Sequence, residues 1–247
     1  MPCLLLKGRS LVKTVCFRDV SYIGDPLNAV RIFNEKQVDE LVIFDITATI
    51  ENKEPDYDLI AKIAEECFMP LCYGGGIRTI DMIQKILNSG VEKIVVNSQT
   101  VKNPKFIRQA ADQFGSQSII VAIDVKKNQW GNYTVYSHGG RKNSKIDPVV
   151  HAQLMAEMGA GEIILTSIDR EGTWAGYDYE ITRRVAAAAN IPVIASGGAG
   201  EVLHFYEAVQ KGKASAVAIG SMAVYHDKGQ GVLINFPDHD MLKAVLN

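Results

Sequence analysis

Two glycine clusters at matching places and one strand-terminal aspartate are the groups of this chain best suited to chemistry. Gly74-Gly75-Gly76 follows the apolar run Pro70–Tyr73, and Gly197-Gly198 follows Pro192–Ser196. Glycine lets backbone N–H groups approach an anion closely, and a following helix aims its positive end at the same place. Asn97-Ser98 and Gly220-Ser221 close two further apolar runs and add side-chain donors, and Gly172 stands nearby in sequence. The phosphate-binding candidates are therefore Gly75, Gly76, Asn97 and Ser98 in one set, and Gly172, Gly197, Gly198, Gly220 and Ser221 in the other. Single glycine pairs often make only tight turns; two matched sets point to a ligand with a phosphate at each end. Asp124 ends the run Ile119-Ile120-Val121-Ala122-Ile123-Asp124 and can be a general acid or base. A cap, or a loop ion pair with Lys126, is its plainer alternative. Asp45, Asp169 and Glu171 lie near other strand ends, and Thr166 and Ser167 offer hydroxyls.

The elements that position these groups repeat. Gly76 and Gly198 are 122 residues apart, and the same offset carries Gly90 onto Gly212, Val95 onto Val217, Asp25-Pro26 onto Asp147-Pro148 and Glu40 onto Glu162. Short apolar runs at Cys3–Leu6, Leu41–Asp45, Pro70–Tyr73, Lys93–Asn97, Ile119–Asp124, Glu162–Ser167, Pro192–Ser196 and Ala216–Gly220 read as parallel strands buried on both faces. Amphipathic segments separate them, with Asp25-Pro26, Asn103-Pro104 and Asp147-Pro148 each placing a capping side chain before a proline. The expectation is a (βα)8 TIM barrel made of two (βα)4 halves, forming one domain over 1–247. Residues 127–145 are mostly polar around a strand-like Tyr133-Thr134-Val135-Tyr136. They predict a hairpin insertion after the fifth strand, on the face where barrels keep their chemistry.

Composition narrows the class further. A formal charge of −2 over 247 residues, 47% of them hydrophobic, gives no footprint for nucleic acid or an anionic membrane. The largely apolar start Met1–Gly8 is too short for a signal peptide, and no run is long enough to span a bilayer. Cys3, Cys16, Cys67 and Cys72 form no C-x-x-C pair, and five scattered histidines give no metal-ligand spacing. A cytoplasmic protein without metal or cofactor is expected.

Nearly the whole chain resembles the cyclase subunit of imidazole glycerol phosphate synthase, the HisF type. The resemblance rests on Gly24-Asp25-Pro26, Asp39-Glu40-Leu41-Val42, Asp45-Ile46-Thr47-Ala48, Gly74-Gly75-Gly76-Ile77, Phe114-Gly115-Ser116-Gln117, Val121-Ala122-Ile123-Asp124, Gly159-Ala160-Gly161-Glu162, Leu165-Thr166-Ser167-Ile168-Asp169-Arg170 and Ile194-Ala195-Ser196-Gly197-Gly198-Ala199-Gly200. It implies a barrel that receives ammonia from a HisH-type glutaminase and opens and cyclises a bis-phosphate ribulosyl-formimino substrate. The products are imidazole glycerol phosphate and aminoimidazole carboxamide ribotide.

The departures are specific. The resemblance calls for aspartates at the ends of strands one and five; Leu5 stands at the first place and only Asp124 remains. Glu171 replaces an aspartate, and Arg141-Lys142-Asn143-Ser144-Lys145 lacks the usual threonine-glycine. The stretches from Tyr22 to Val30 and from Val232 to Pro237 look more like a second HisF-type paralogue. That paralogue accompanies glutaminase and sugar-amidating proteins in surface-polysaccharide loci and helps supply ammonia for acetamidino sugars. The resemblance also makes Glu40, Lys93 and Glu162 an ammonia gate at the barrel's N-terminal mouth, with Glu92 a candidate glutaminase contact. Read without it, they are rim ion pairs of little energetic worth. The resemblance places the gate's arginine upstream of strand one, ahead of Met1, so either the natural protein starts earlier or the ring is incomplete. Three readings follow: an ammonia-dependent cyclase, a conduit that serves a glutaminase and a sugar amidotransferase, and a phosphosugar-binding barrel with another isomerase activity.

Overall fold

The computed structural model describes residues 1–228 and 230–246. Among these, eight parallel strands form where the apolar runs are unbroken: Cys3–Lys7, Leu41–Asp45, Leu71–Gly74, Lys93–Val96, Ile119–Lys127, Glu162–Ser167, Val193–Ser196 and Ala216–Ala218. Each pairs with the next in that order. The last returns to the first through a parallel bridge between Pro2 and Ile219. There the Cys3 N–H donates to the Ile219 carbonyl at 2.7 Å and the Ile219 N–H donates to the Met1 carbonyl at 2.9 Å. The sheet is thus a closed (βα)8 barrel.

Several boundaries differ from the sequence reading. Pro70 and Pro192 stand just before their strands, because neither has an N–H for the ladder. Their carbonyls still accept, from Leu41 and Ile163, at 2.9 Å each. Asn97 leaves the fourth strand, with φ −117° and ψ −82°, and Ile219 and Gly220 lie beyond the eighth. The fifth strand runs past Asp124 to Lys127 because the expected insertion, Tyr133–Ser137, pairs antiparallel with that extension. Another hairpin, the first along the chain, joins Ser10–Val15 to Arg18–Gly24 directly after the first strand and had no counterpart in the reading. Its turn puts Cys16 and Phe17 at φ +51° and +61°, so the glycine or asparagine that usually marks such a turn is missing.

Helix caps form in two of the three expected places. Asp25 accepts from the Asn28 N–H at 3.0 Å, and Asp147 from the Val149 and Val150 N–H groups at 2.8 and 3.2 Å. Asn103 does not cap: the helix Lys105–Phe114 starts after Pro104 without a side-chain bond, and the Asn103 backbone carbonyl takes the Phe106 N–H at 3.0 Å.

The core has two layers. Phe33, Ile63, Ile86, Ile107, Met155 and Phe205 fill the space between strands and helices. Val42, Cys72, Val95, Ile120, Ala122, Ile164, Ile194 and Ala218 fill the barrel interior. Burial on both faces explains why the strands lack polar alternation. Removing the Asp147 cap by Asp147→Ala should lower stability to urea by about 1 kcal/mol; Asn103→Ala should change it by less than about 0.5 kcal/mol.

Candidate functional site

Side chains along a strand alternate between faces, so each barrel strand sends every second residue inward. The second strand and its lead-in present Glu40, Val42 and Phe44, the fourth Lys93, Val95 and Asn97, the fifth Ile120, Ala122 and Asp124, and the sixth Glu162, Ile164 and Thr166. Charge therefore sits at one mouth, apolar groups at mid-barrel, and polar groups at the other mouth.

At the C-terminal ends of the strands lies a cavity of about 420 Å³. Its floor reaches down to Cys3, Val95, Ala122 and Ala218, and Leu5, Asn97, Asp124, Thr166 and Glu171 stand in its wall. The Asn97 Nδ2 donates to Asp124 Oδ2 at 3.1 Å and to the Ala122 carbonyl at 3.0 Å. Asn97, not Lys126, is thus the partner that holds Asp124. Burial, and then the negative charge of Glu171, push the Asp124 carboxyl up to about 7. A carboxyl in that state carries a proton near neutrality and can donate it. Leu5, beside Phe44 on the neighbouring strand, offers no exchangeable proton.

All nine phosphate candidates line the same cavity: Gly75, Gly76, Asn97 and Ser98 in one set, Gly172, Gly197, Gly198, Gly220 and Ser221 in the other. The close approach of the loops demands glycine. Gly76 has φ +70°, and a Cβ there would come within 2.9 Å of the Ala48 Cβ. Gly172, at φ +74°, lets the sixth loop lie against the first hairpin, where a Cβ would come within 2.9 Å of the Val15 Cα.

The remaining expected groups are distributed differently. Asp45 borders the cavity, but its Oδ1 accepts from the Thr47 N–H, the Thr47 hydroxyl and the Ala48 N–H at 2.8, 2.8 and 3.0 Å, which makes it the organiser of its own loop. Asp169 is exposed on the rim, where it accepts the Lys127 N–H at 2.9 Å. Ser167 faces the helix layer and its hydroxyl reaches Asp178 at 3.4 Å. Thr166 faces the cavity.

The sequence reading missed Lys13. The first hairpin carries it into the cavity wall, where it is only 7% exposed and pairs with Glu171, itself 6% exposed. The Thr14 hydroxyl and the Phe17 N–H also donate to Glu171, each at 3.1 Å, and the Cys16 N–H donates to its carbonyl at 2.8 Å. A single charged residue inside the strand-like run Leu11-Val12-Lys13-Thr14-Val15 was the available signal.

At the opposite mouth, Lys93 lies 2.9 Å from Glu40 and 2.7 Å from Glu162, with all three side chains largely buried. Burial alone would lower the Lys93 pKa, but the two carboxylates overcome it and hold it above the ordinary value. The buried Cys72 thiol adds a contact to Glu40 at 2.9 Å. Beside this ring Glu92 is exposed, and Phe68, just before the third strand, is 86% exposed.

Among the described residues, no helix is long and apolar enough to cross a membrane, and no cluster of three or more His, Cys, Asp or Glu could hold a metal ion.

The closed sheet, with a cavity at the C-terminal strand ends and a charged ring at the other mouth, defines a (βα)8 barrel. The chain belongs to the histidine biosynthesis protein family, which it matches over residues 1–229. It is 48% identical, over 98% of its length and 96% of the relative's, to a Pseudomonas aeruginosa protein provisionally named imidazole glycerol phosphate synthase subunit hisF2. A Vibrio vulnificus protein provisionally named subunit hisF3 of that synthase is 43% identical, over 100% of this chain and 95% of its own. The imidazole glycerol phosphate synthase subunit HisF of Alkaliphilus metalliredigens is 46% identical, over 92% and 90%.

Asp124 titrates at about 7 in the folded protein against 3.8 for the ordinary side chain. The folded state therefore binds the extra proton between those values, and stability falls as pH rises through that window. Asp124→Asn should remove this dependence, so its stability relative to the parent should improve between about pH 4 and about pH 8. Carboxyl NMR should place the parent midpoint near 7, and Glu171→Gln should lower it. A midpoint near the ordinary carboxylate value contradicts the assignment.

Proposed function

We propose that this barrel is the ammonia-using synthase subunit of a cytoplasmic glutamine-dependent amidotransferase. A HisH-type glutaminase docks at the N-terminal mouth, and the barrel is the paralogue that serves amidation of surface sugars by a separate sugar amidotransferase. The observation that carries this reading is the axial order of groups. Lys93, held by Glu40 and Glu162, stands at one mouth, the ligand cavity opens at the other, and apolar side chains join them. From Lys93 to Asn97 the path is about 13 Å, at roughly 3.3 Å per strand residue. A neutral ammonia molecule can cross such an interior, whereas ammonium would carry a large desolvation cost. The exposed Phe68 and Glu92 beside the ring offer an apolar and a charged contact for the glutaminase.

In the cavity, the two glycine sets hold the phosphates of a bis-phosphate ligand, and Asp124 is the proton donor. Leu5 supports the paralogue over the histidine-pathway enzyme, because a leucine cannot move a proton. The names hisF2 and hisF3 carried by two relatives agree with an additional HisF-type copy. The second reading, a genuine cyclase converting the phosphoribulosyl-formimino substrate and ammonia to imidazole glycerol phosphate and aminoimidazole carboxamide ribotide, is favoured by the raised pKa of Asp124 and the two glycine sets.

Two experiments test these readings. Mixing the chain with a HisH-type glutaminase should raise glutamine hydrolysis. Lys93→Glu, which sets a third carboxylate against Glu40 and Glu162, should abolish most of that gain. A barrel that leaves the glutaminase unchanged contradicts the docking. Turnover of the histidine-pathway bis-phosphate with excess ammonium should be absent or at least about 100-fold below that of Leu5→Asp, since one acid–base group is worth roughly 10²–10⁴-fold. Full turnover by the parent chain would instead establish the cyclase, and Asp124→Asn should then abolish it.

A further inference from the structure

The insertion after the fifth strand forms a wall of the cavity that the assignments above leave unused. At its turn, His138 has φ +55°, a left-handed backbone that a non-glycine residue adopts only when its surroundings hold it there. They do so here. The His138 N–H donates to the Ser98 Oγ at 2.9 Å, and its Nδ1 lies 3.0 Å from the buried Ser137 Oγ. On the other side, Nε2 lies 3.4 Å from the Lys142 Nζ. An ammonium can only donate, so Nε2 carries the lone pair and the ring proton sits on Nδ1. The imidazole is thus neutral in this arrangement. Burial, then Lys142, then Lys102 hold its pKa below the ordinary value.

The groups around it are one-sided in charge. Ser137, Arg141 and Lys142 come from the insertion, and Ser98, Gln99 and Lys102 from the segment after the fourth strand. Ile50 and Asn52 come from the loop after the second strand. Lys142 and Lys102 act on the ring, Arg141 lines the same cavity, and the carboxylate on this flank, Asp45, is already bonded to Thr47 and Ala48. The second half-site differs, because Lys13 beside Gly220 is already neutralised by Glu171.

We propose that His138 is a proton-coupled ligand for a phosphate monoester dianion in the first half-site, acting with Lys102 and Arg141. The phosphate settles against Gly76 and Ser98, Nε2 takes a proton from solvent, and the imidazole changes from the acceptor of Lys142 into a third cationic donor. The cavity therefore takes the more highly charged end of its ligand at this half-site. The proposal rests on the reading of Gly75, Gly76, Asn97 and Ser98 as a phosphate half-site, and the experiment separates the two.

The probe is inorganic phosphate added to the full chain labelled with nitrogen-15. Phosphate should perturb the amides of Gly75, Gly76 and Ser98 and move the His138 ring titration up by at least about 1 pH unit, as a contacting opposite charge does. Calorimetry in buffers of different ionisation enthalpy should register proton uptake. The uptake should vanish in His138→Asn, chosen because asparagine tolerates the left-handed backbone. Perturbed first-set amides with an unmoved His138 midpoint would overturn the proposal and leave the half-site standing. Perturbation confined to Gly197 and Gly198 overturns it as well. If neither glycine set responds, the phosphate reading itself fails and the proposal goes with it.

Discussion

The two-residue period of a strand closed on both sides governs this molecule. Once the barrel is sealed between Ile219 and Cys3, no strand can slip by one residue without turning its whole inward row outward. Glu40, Val42 and Phe44 are therefore tied together, as are Glu162, Ile164 and Thr166. Ring, interior and cavity wall are successive rungs of the same ladders. A side chain at the cavity is consequently positioned by the pairing of strands far below it, and the chemistry of the upper mouth inherits the rigidity of the core.

The internal repeat is kept where the backbone does the work and abandoned where side chains do. Gly76 and Gly198 both occupy left-handed backbone, and Asp25 and Asp147 both cap helices. Glu40 and Glu162, mates in the repeat, grip the same Lys93 from opposite halves. At the cavity the halves part. Leu5 stands where the second half has Asp124, and the hairpins that follow strands one and five bring different groups to the cavity, Lys13 and Phe17 from one and His138 and Arg141 from the other. A symmetric scaffold thereby holds an asymmetric site.

What could be read in advance follows the same division. The eight strands announce themselves because burial on both faces leaves them almost purely apolar, and the glycine loops because their backbone tolerates nothing larger. The insertion was legible from the alternation around Tyr133 to Tyr136. The first hairpin was not, because its turn places Cys16 and Phe17 in a conformation that neither residue type signals. With the hairpin went Lys13, whose burial depends on a carboxylate 158 residues away. Asn103 misled in the other direction: the dipeptide with proline resembles a cap, yet only the asparagine backbone is used. Local signals forecast local structure, and the pairing of distant loops lay outside them.

That distant pairing has a mechanical consequence. Lys13 and Glu171 join the first and sixth loops through an ion pair shut away from water, with Thr14 and Phe17 satisfying what remains of the carboxylate. Separating the loops would strand two ions in a poorly solvated place, and half-measures gain nothing because neither ion is hydrated until the parting is nearly complete. The hairpin and the sixth loop are therefore held together as one unit and not as two independent flaps. That side of the cavity wall is thus a single joined piece built from two loops 158 residues apart in the chain.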